Sequence, residues 1–343
     1  DLYIEDTLQH GFDENTGQST IDTSRYLSIL SSVSTTPSTE PIWRTITTGN
    51  GNDFVDGSAC DSENNIYITG YFNSTNLHAY DKNDVSTLTL NHTSGNDAFL
   101  VKSDSNGTPL WMGRVAGSSN EVGYGVAVDS SDNVYMCGRV DGTAIIYNAG
   151  NVDSGSTVPL GGSASSYLIK YNSAGTLLWR TRISGTGTTE CITVCVDTSD
   201  NVYVGGRFDT SNVTVYDTSD SSWGTITRVG GTDGFIVKYN SSGTPQWTNR
   251  IGGSGTEIIY CMRCDLSDNL FITGKTSSNP VRFYNPNNGT EFTTRASSNE
   301  MWFISMFNTS GTPQWVARID GSINERGFGI CADSNNNCYV TGT

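Results

Sequence analysis

The sequence predicts an all-β fold: a five-bladed β-propeller of 68-residue repeats, its last blade closed by strands from both termini, with an extra outer hairpin per blade. Three observations carry this expectation. Trp43, Trp111, Trp179, Trp247 and Trp315 are evenly spaced along the chain and set the repeat length, a period that belongs to repeat architectures. Apolar residues come in short alternating runs bounded by Gly, Asn, Asp and Ser, as in strands joined by tight turns. The 343-residue chain is three residues longer than five such repeats, which suits a ring that closes on itself.

Other positions keep the same register. Asp61, Asp129, Asp197, Asp265 and Asp333 follow each Trp at one fixed interval, and Asn65, Asn133, Asn201, Asn269 and Asn337 stand four positions beyond them. Then come Tyr67, Tyr135, Tyr203, Phe271 and Tyr339, and three positions later Gly70, Gly138, Gly206, Gly274 and Gly342. An aromatic (Phe99, Tyr167, Phe235, Phe303) and a glycine (Gly107, Gly175, Gly243, Gly311) precede the later Trp residues by 12 and 4 positions.

In the second copy, 125–129 and 134–138 read as strands around the turn SSDN, where Asp and Asn bond nearby amides and tolerate left-handed backbone. Residues 167–171 and 176–183 form a second hairpin closed by NSAG, its glycine supplying a positive φ. Between the hairpins lies an insert, with apolar pieces such as 212–217 and 224–229, read as a hairpin that enlarges its blade at the outer edge. The fifth copy stops after its second strand, and 24–30 and 40–46 resemble the missing third and fourth. The path from Trp315 around through both termini to Trp43 is only three positions longer than the other Trp-to-Trp intervals. The expected organisation is one domain, 1–343, with blades 48–115, 116–183, 184–251 and 252–319, and a closing blade made of 1–47 and 320–343.

The phrases GVAVDSSDNVYMCGR, DNVYVGGRF, DGFIVKYNSSGTPQWTNRIGGSGTE and FGICADSNNNCYVTG resemble the SBBP-type β-propeller repeats. The resemblance covers about nine tenths of the chain and implies the propeller fold, in proteins of bacterial surfaces and of large DNA viruses. It implies no particular activity. Two features depart from it: the family is often seven-bladed, and the N-terminal segment 1–23 matches the insert by length alone.

Composition narrows the partners. With 19 Lys plus Arg against 35 Asp plus Glu, the net charge is −16, which disfavours nucleic acid and anionic membranes. No apolar run approaches the roughly 18 residues a membrane helix needs. The chain begins at Asp1 without a basic and apolar leader, so a soluble chain is expected.

Asp53, Glu121, Glu257 and Glu325 fall ten positions after a Trp, and Glu190 eleven after. Five carboxylates of this kind could ring one mouth of a central channel and suit Ca²⁺, which takes six to eight oxygens. Alternatively each acid pairs within its blade, with Arg114, Arg182, Arg250 or Arg318. Tyr80, Tyr147, Tyr216 and Tyr284 occupy one insert position per blade, beside amides and hydroxyls, and make candidate sugar-stacking sites acting multivalently. Their alternative role is to pack the hairpin.

The eight cysteines mostly occupy inner-strand positions filled elsewhere by Ala, Val or Gly, a pattern of buried free thiols. Cys331 and Cys338 flank one turn and could pair across it. Cys261-x2-Cys264 lacks the second pair a zinc site needs. Seven N-x-S/T sequons, no more than composition provides, give no specific signal for glycosylation.

Three histidines and no nucleophile elbow leave poor material for a catalytic triad. Gly274-Lys275-Thr276 resembles a phosphate loop, but Asn269 stands at the first glycine. The expected function is therefore a non-enzymatic surface binding or scaffold propeller, extracellular or on a virion surface, with glycans or neighbouring protein subunits as partners. The alternative is a glycoside hydrolase or lyase with unlike carboxylates in the channel.

Overall fold

The computed structural model describes residues 46–48, 50–83, 85–287, 289, 291–295, 300–319 and 325–343, for 291–295 and 46–48 by backbone alone. The strand expected at 24–30, most of that at 40–46, Trp43 and Asn288 lie outside them. Strands β1 (Ile46–Thr48), β2 (Asp53–Cys60), β3 (Ile66–Phe72), β4 (Asn76–Tyr80), β5 (Ser86–Asn91), β6 (Asp97–Ser103) and β7 (Pro109–Ala116) set the pattern. The second unit supplies β8 (Glu121–Val128), β9 (Val134–Val140), β10 (Ala144–Asn148), β11 (Val152–Val158), β12 (Ser165–Tyr171) and β13 (Leu177–Gly185). The third supplies β14 (Thr189–Val196), β15 (Val202–Phe208), β16 (Asn212–Tyr216), β17 (Ser222–Thr227), β18 (Asp233–Tyr239) and β19 (Pro245–Gly252). Then follow β20 (Glu257–Cys264), β21 (Leu270–Thr276), β22 (Val281–Tyr284), β23 (Glu291–Arg295), β24 (Met301–Phe307) and β25 (Pro313–Ile319). The last pair is β26 (Gly327–Ala332) and β27 (Cys338–Gly342).

Every sheet is antiparallel, and the longest have six strands, ordered β2-β3-β6-β7-β10-β11, β8-β9-β12-β13-β16-β17 and β14-β15-β18-β19-β22-β23. The insert hairpin therefore does not enlarge its own blade, as the sequence suggested. Both edges of β9 are taken, by β8 and β12, so hairpin β10–β11 cannot join there and extends β7 of the preceding unit instead. Hairpins β16–β17 and β22–β23 do the same to β13 and β19, and β4–β5 joins β1. Each of the first four units thus donates two strands to the sheet before it.

The register aspartate anchors each turn. Asp129 Oδ1 accepts from the amides of Ser131 (3.0 Å) and Asn133 (2.9 Å), while Oδ2 accepts from Tyr135 Oη (3.1 Å) and pairs with Lys170 of β12 at 2.9 Å. The left-handed residue is neither the register Asp nor Asn but the one between, Asn64, Asp132, Asp200, Asp268 or Asn336 (φ about 60°). That residue caps the preceding blade: Asp132 accepts from the Ser62 amide (2.9 Å), and Asp200 from Ser130 (2.9 Å).

The register Trp and Lys reach the next unit. Trp111 Nε1 donates to Ser173 O at 3.0 Å, Trp179 to Ser241 O at 3.1 Å and Trp247 to Thr309 O at 3.1 Å. Gly175, in the turn after β12, has φ +78°, and a Cβ there would lie 2.9 Å from the Trp111 ring, so only glycine lets turn and indole stack. Trp315 is 39% exposed against 8% for Trp111, and Tyr339 56% exposed where Tyr135 is fully buried. Trp315, on β25, and Tyr339, on β27, belong to the last two sheets in the order of the chain.

Asp129 is one of the acids held in its ionised form: burial opposes the charge, but Lys170 and Asn133 outweigh it and keep the carboxyl below its ordinary value. Its folded pKa being lowered, the stabilisation is present above the unfolded value near 4 and is lost as pH falls through the folded one. Asp129→Ala, which strands buried Lys170, is expected to cost about 3–5 kcal/mol in urea unfolding at pH 7, with the gap to the parent chain narrowing below pH 4.

Candidate functional site

Three of the four insert tyrosines are stacked against an arginine and are not open platforms. Arg114 lies over the Tyr147 ring at 4.3 Å, Arg182 over Tyr216 at 3.7 Å and Arg250 over Tyr284 at 3.9 Å. Each guanidinium comes from the last core strand of the preceding unit, so the pair clamps the donated hairpin to the sheet it joins. Tyr80 occupies the same place on β4, its ring 6.2 Å from His78. The arginines are thereby engaged elsewhere than with the acidic series. Arg114 also binds Asp97 at 2.7 Å, and Arg182 binds Asp220 at 3.2 Å.

The acidic series is not one structural position. Asp53, Glu121 and Glu257 open β2, β8 and β20, and Glu325 stands just before β26, but the equivalent residue in the third unit is Thr189, paired with Phe208 as Glu121 is with Val140. Glu190 sits one residue later, and a one-residue offset in a strand turns the side chain to the other face. Among the described residues no group of three or more His, Cys, Asp or Glu is placed to share a metal ion, so these five acids do not converge as a Ca²⁺ ring.

Glu121 is fully buried, accepts the Gly117 amide at 2.7 Å, and has no partner at Oε1. Burial, with Asp97 and Asp141 nearby, pushes its carboxyl up to about 8 against the pull of the Gly117 amide. Glu257, likewise buried, accepts Thr276 Oγ1 at 2.7 Å and is pushed up to about 7. Asp53 accepts Ser74 Oγ at 2.6 Å.

The cysteines are free thiols. Cys331 and Cys338 do not face one another: Cys338 is opposite Ala332 and Cys331 opposite Tyr339, on alternate faces of the hairpin.

A different constellation emerges along the free edges of the sheets. Strands β2, β8, β14, β20 and β26 are each an edge strand, and they pack side by side in that order. Each carries a bulge at the same place, leaving Asp56, Tyr124, Ile192, Tyr260 and Phe328 out of register with the paired strand. The register glycine lies across from it. A Cβ on Gly138 or Gly206 would lie 1.9 Å from the carbonyl of Val122 or Glu190, so the bulge requires glycine there.

Around these bulges the repeat is broken chemically. Glu190 binds both Arg139 of the preceding unit and Arg207, the latter at 2.5 Å. Burial raises the cost of its charge, but Arg207 and Arg139 override it and hold the carboxyl below its ordinary value. Burial, the Glu190 charge and Asp56 push the Tyr124 phenol up. Farther along the row the Tyr260 ring of β20 and the Phe328 ring of β26 lie 5.1 Å apart, and Glu300 joins Lys275 (2.8 Å) to Arg326 (3.6 Å) beside them. At the other end Asp56 is half-buried, its Oδ2 enclosed and unbonded, and desolvation pushes it up to about 7.

Sequence reasoning missed this cluster because it looked for recurrence. Its residues are those where the 68-residue register disagrees with itself, Asp56/Tyr124/Ile192/Tyr260/Phe328 and Tyr71/Arg139/Arg207/Lys275/Thr343, and that disagreement was the signal to follow.

No family model matches the chain, so the SBBP resemblance rests on the residues quoted for it. The chain is 28% identical over 239 residues to an uncharacterized WD repeat-containing protein, L264, of Acanthamoeba polyphaga mimivirus, covering 64% of this chain and 17% of that protein. That relative supports a repeat, propeller-like protein, in keeping with the all-β antiparallel architecture. The chain spans about a sixth of the relative's length. A protein of unknown function from Bacteroides caccae aligns over 74% of this chain and 93% of its own at 7% identity and a TM-score of 0.29, a similarity too low to assign a shared topology.

Glu121 yields a pH prediction. A carboxyl raised from its ordinary value of 4.5 to about 8 destabilises the fold as pH climbs between those values, because the unfolded chain ionises first. Glu121→Gln keeps the Gly117 acceptor without the charge. It should stabilise the protein by roughly 2 kcal/mol at pH 8 and by nothing at pH 4, as read from thermal unfolding at both pH values.

Proposed function

We propose that this chain is a non-enzymatic β-propeller that binds carbohydrate along its row of bulged edge strands. The observation that carries the reading is the chemical asymmetry there, on a frame whose other recurrent polar groups are spent on holding blades together. Aromatic rings at Tyr124, Tyr260 and Phe328 stand beside the paired charges Arg139–Glu190–Arg207 and Lys275–Glu300–Arg326. Rings that stack on sugar C–H faces, next to planar charged groups that bond vicinal hydroxyls, are what a sugar site combines. The viral source of the WD repeat relative is in keeping with a role on a particle or extracellular surface.

The same asymmetry favours a second reading. Asp56 is pushed up to about 7 while Glu190 is held low, and unlike carboxylates are what a glycosidase needs for acid and base or nucleophile roles. Glycan-array binding, followed by calorimetry on the best ligand, separates the readings. Binding without turnover, weakened at least about tenfold by Tyr124→Ala and untouched by Tyr216→Leu, is the expected result. Turnover abolished by Asp56→Asn would establish the enzyme, and binding indifferent to Tyr124→Ala would remove the site from this edge.

For the architecture we propose five blades closed by both termini, with 24–30 as the third strand between β27 and β1. This would turn the two-stranded β26–β27 and three-stranded β1-β4-β5 sheets into a six-stranded one like its neighbours. A specific observation favours a ring completed by further repeats instead: among the described residues β26 does not pack on β2 as closely as β2, β8, β14, β20 and β26 pack on one another in turn. Deleting residues 1–45 discriminates. Closure at five predicts a fall in Tm of about 5 °C or more and exposure of the β27 edge to hydrogen exchange; an unchanged Tm would exclude it.

A further inference from the structure

A buried and a half-buried sulfur from neighbouring sheets meet where the two preceding joints place a methyl and an isopropyl group. Cys195, near the end of β14, and Cys264, the last residue of β20, have their Sγ atoms 3.6 Å apart. Their separation along the chain is the one that relates Ala59 to Val128 and Ala127 to Val196. Those Ala and Val pairs occupy the same joint, packed in the apolar clusters between successive sheets. Both members of one joint are therefore cysteine.

We propose that Cys195 and Cys264 are a disulfide site that covalently joins two neighbouring blades. The sulfurs sit about 1.5 Å beyond bonding distance, within the reach of small side-chain rotations, and the strands that carry them already pack together. The two preceding joints show that small uncharged side chains fill this place, and the following one holds Arg263 and Ala332, so the sulfur pair is not needed for packing. A cleft of ≈ 210 Å³ is lined by Cys264, Asp265, Leu266, Ala332, Asp333 and Ser334. Cys264 is half-buried at its border and is the sulfur a small oxidant would reach first, while Cys195 is buried.

The chemistry is two exchanges with a low-molecular-weight disulfide, R–S–S–R. The Cys264 thiol loses its proton and its sulfur attacks one sulfur of the reagent, breaking the reagent's S–S bond and releasing one RSH. Cys195 then loses its proton and attacks the Cys264 sulfur of the mixed disulfide, releasing the second RSH. Two thiols are oxidised, one external disulfide is reduced to two thiols, and one S–S bond is formed for one broken. The Cys195 hydrogen bond and burial both push the Cys264 thiol up, so the first exchange is slow without a catalyst and the joint stays reduced under brief exposure. Cys195 and Cys264 lie at the opposite ends of β14 and β20 from Glu190 and Glu257, so the link would tie the strands without entering the edge cluster.

The test is oxidation of the native chain by oxidised glutathione, then alkylation, trypsin and mass spectrometry without reductant. Cys264 lies on the peptide 264–275, and Cys195 shares 183–207 with Cys191. The expected result is a linked 183–207/264–275 pair that persists in Cys191→Ala and vanishes in Cys195→Ala. It should come with a rise in Tm of about 5 °C that dithiothreitol reverses. Cys195→Ala with Cys264→Val recreates the residues of the Ala127–Val196 joint, should fold, and should show no oxidant-dependent shift. Linkage that forms only in denaturant, pairing of Cys264 with another cysteine, or an equal shift in the double variant would overturn the proposal.

Discussion

One carboxylate per unit carries most of the structural demand. The register aspartate ties its own turn through two backbone amides, and Asp265 keeps these where Phe271 and Met306 replace the tyrosine and lysine. In the first three units the register aspartate also receives the tyrosine hydroxyl from the second strand and pairs with a lysine on the third. That lysine lies over the same tyrosine ring, 4.9 Å from its centre in the case of Lys170 and Tyr135. The lysine then donates onward, Lys170 to Ser241 O at 3.2 Å in the following unit, next to the Trp179 bond to the same carbonyl. A charge buried in this way is tolerable because every one of its acceptor positions is used. Remove it and turn, strand pairing and blade contact fail together, which explains why the residue recurs at an invariant spacing along the chain.

The donated hairpins answer a different demand. A four-stranded sheet leaves its last strand as an open edge, and open edges pair with whatever strand is offered. Here the offer comes from the next unit, so the chain crosses from blade to blade twice per repeat and no six-stranded sheet belongs to one unit alone. The arginine–tyrosine stacks fasten the crossing, as with Arg182 and Tyr216. The consequence is mechanical: separating two blades requires breaking backbone ladders as well as side-chain contacts. Among the described residues β25 has no donated hairpin.

Much of this was legible in the residues. The strands expected at 134–138, 167–171 and 212–217 lie within or nearly on β9, β12 and β16, because alternation and turn chemistry are local and the repeat supplies five readings of each. The sheet to which the insert belongs was not legible, since pairing partners are decided by which edge is free and not by the strand itself. Nor was the position of Glu190. Counting from Trp179 placed it near the other acids, but strand registry has a period of two, and one residue moved it from a buried loop-capping position to the edge cluster. The insert tyrosines were correctly seen as recurrent, yet recurrence here signalled packing against an arginine that is itself recurrent.

Recurrence and difference therefore carry separate information in such a chain. A residue repeated in every unit experiences nearly the same surroundings each time, so it serves what every unit needs, namely turns, ladders and joints. Binding one ligand in one orientation needs unlike groups at fixed places, and a repeat can supply those only where its copies diverge. The bulge is suited to that divergence. Its residue is released from the ladder, so its side chain is not dictated by a cross-strand partner, and aspartate, tyrosine, isoleucine and phenylalanine all occur there without altering the sheet. The Cys195–Cys264 joint follows the same logic inside the core, where one Ala and Val pair has been exchanged for two thiols while the backbone packing is retained.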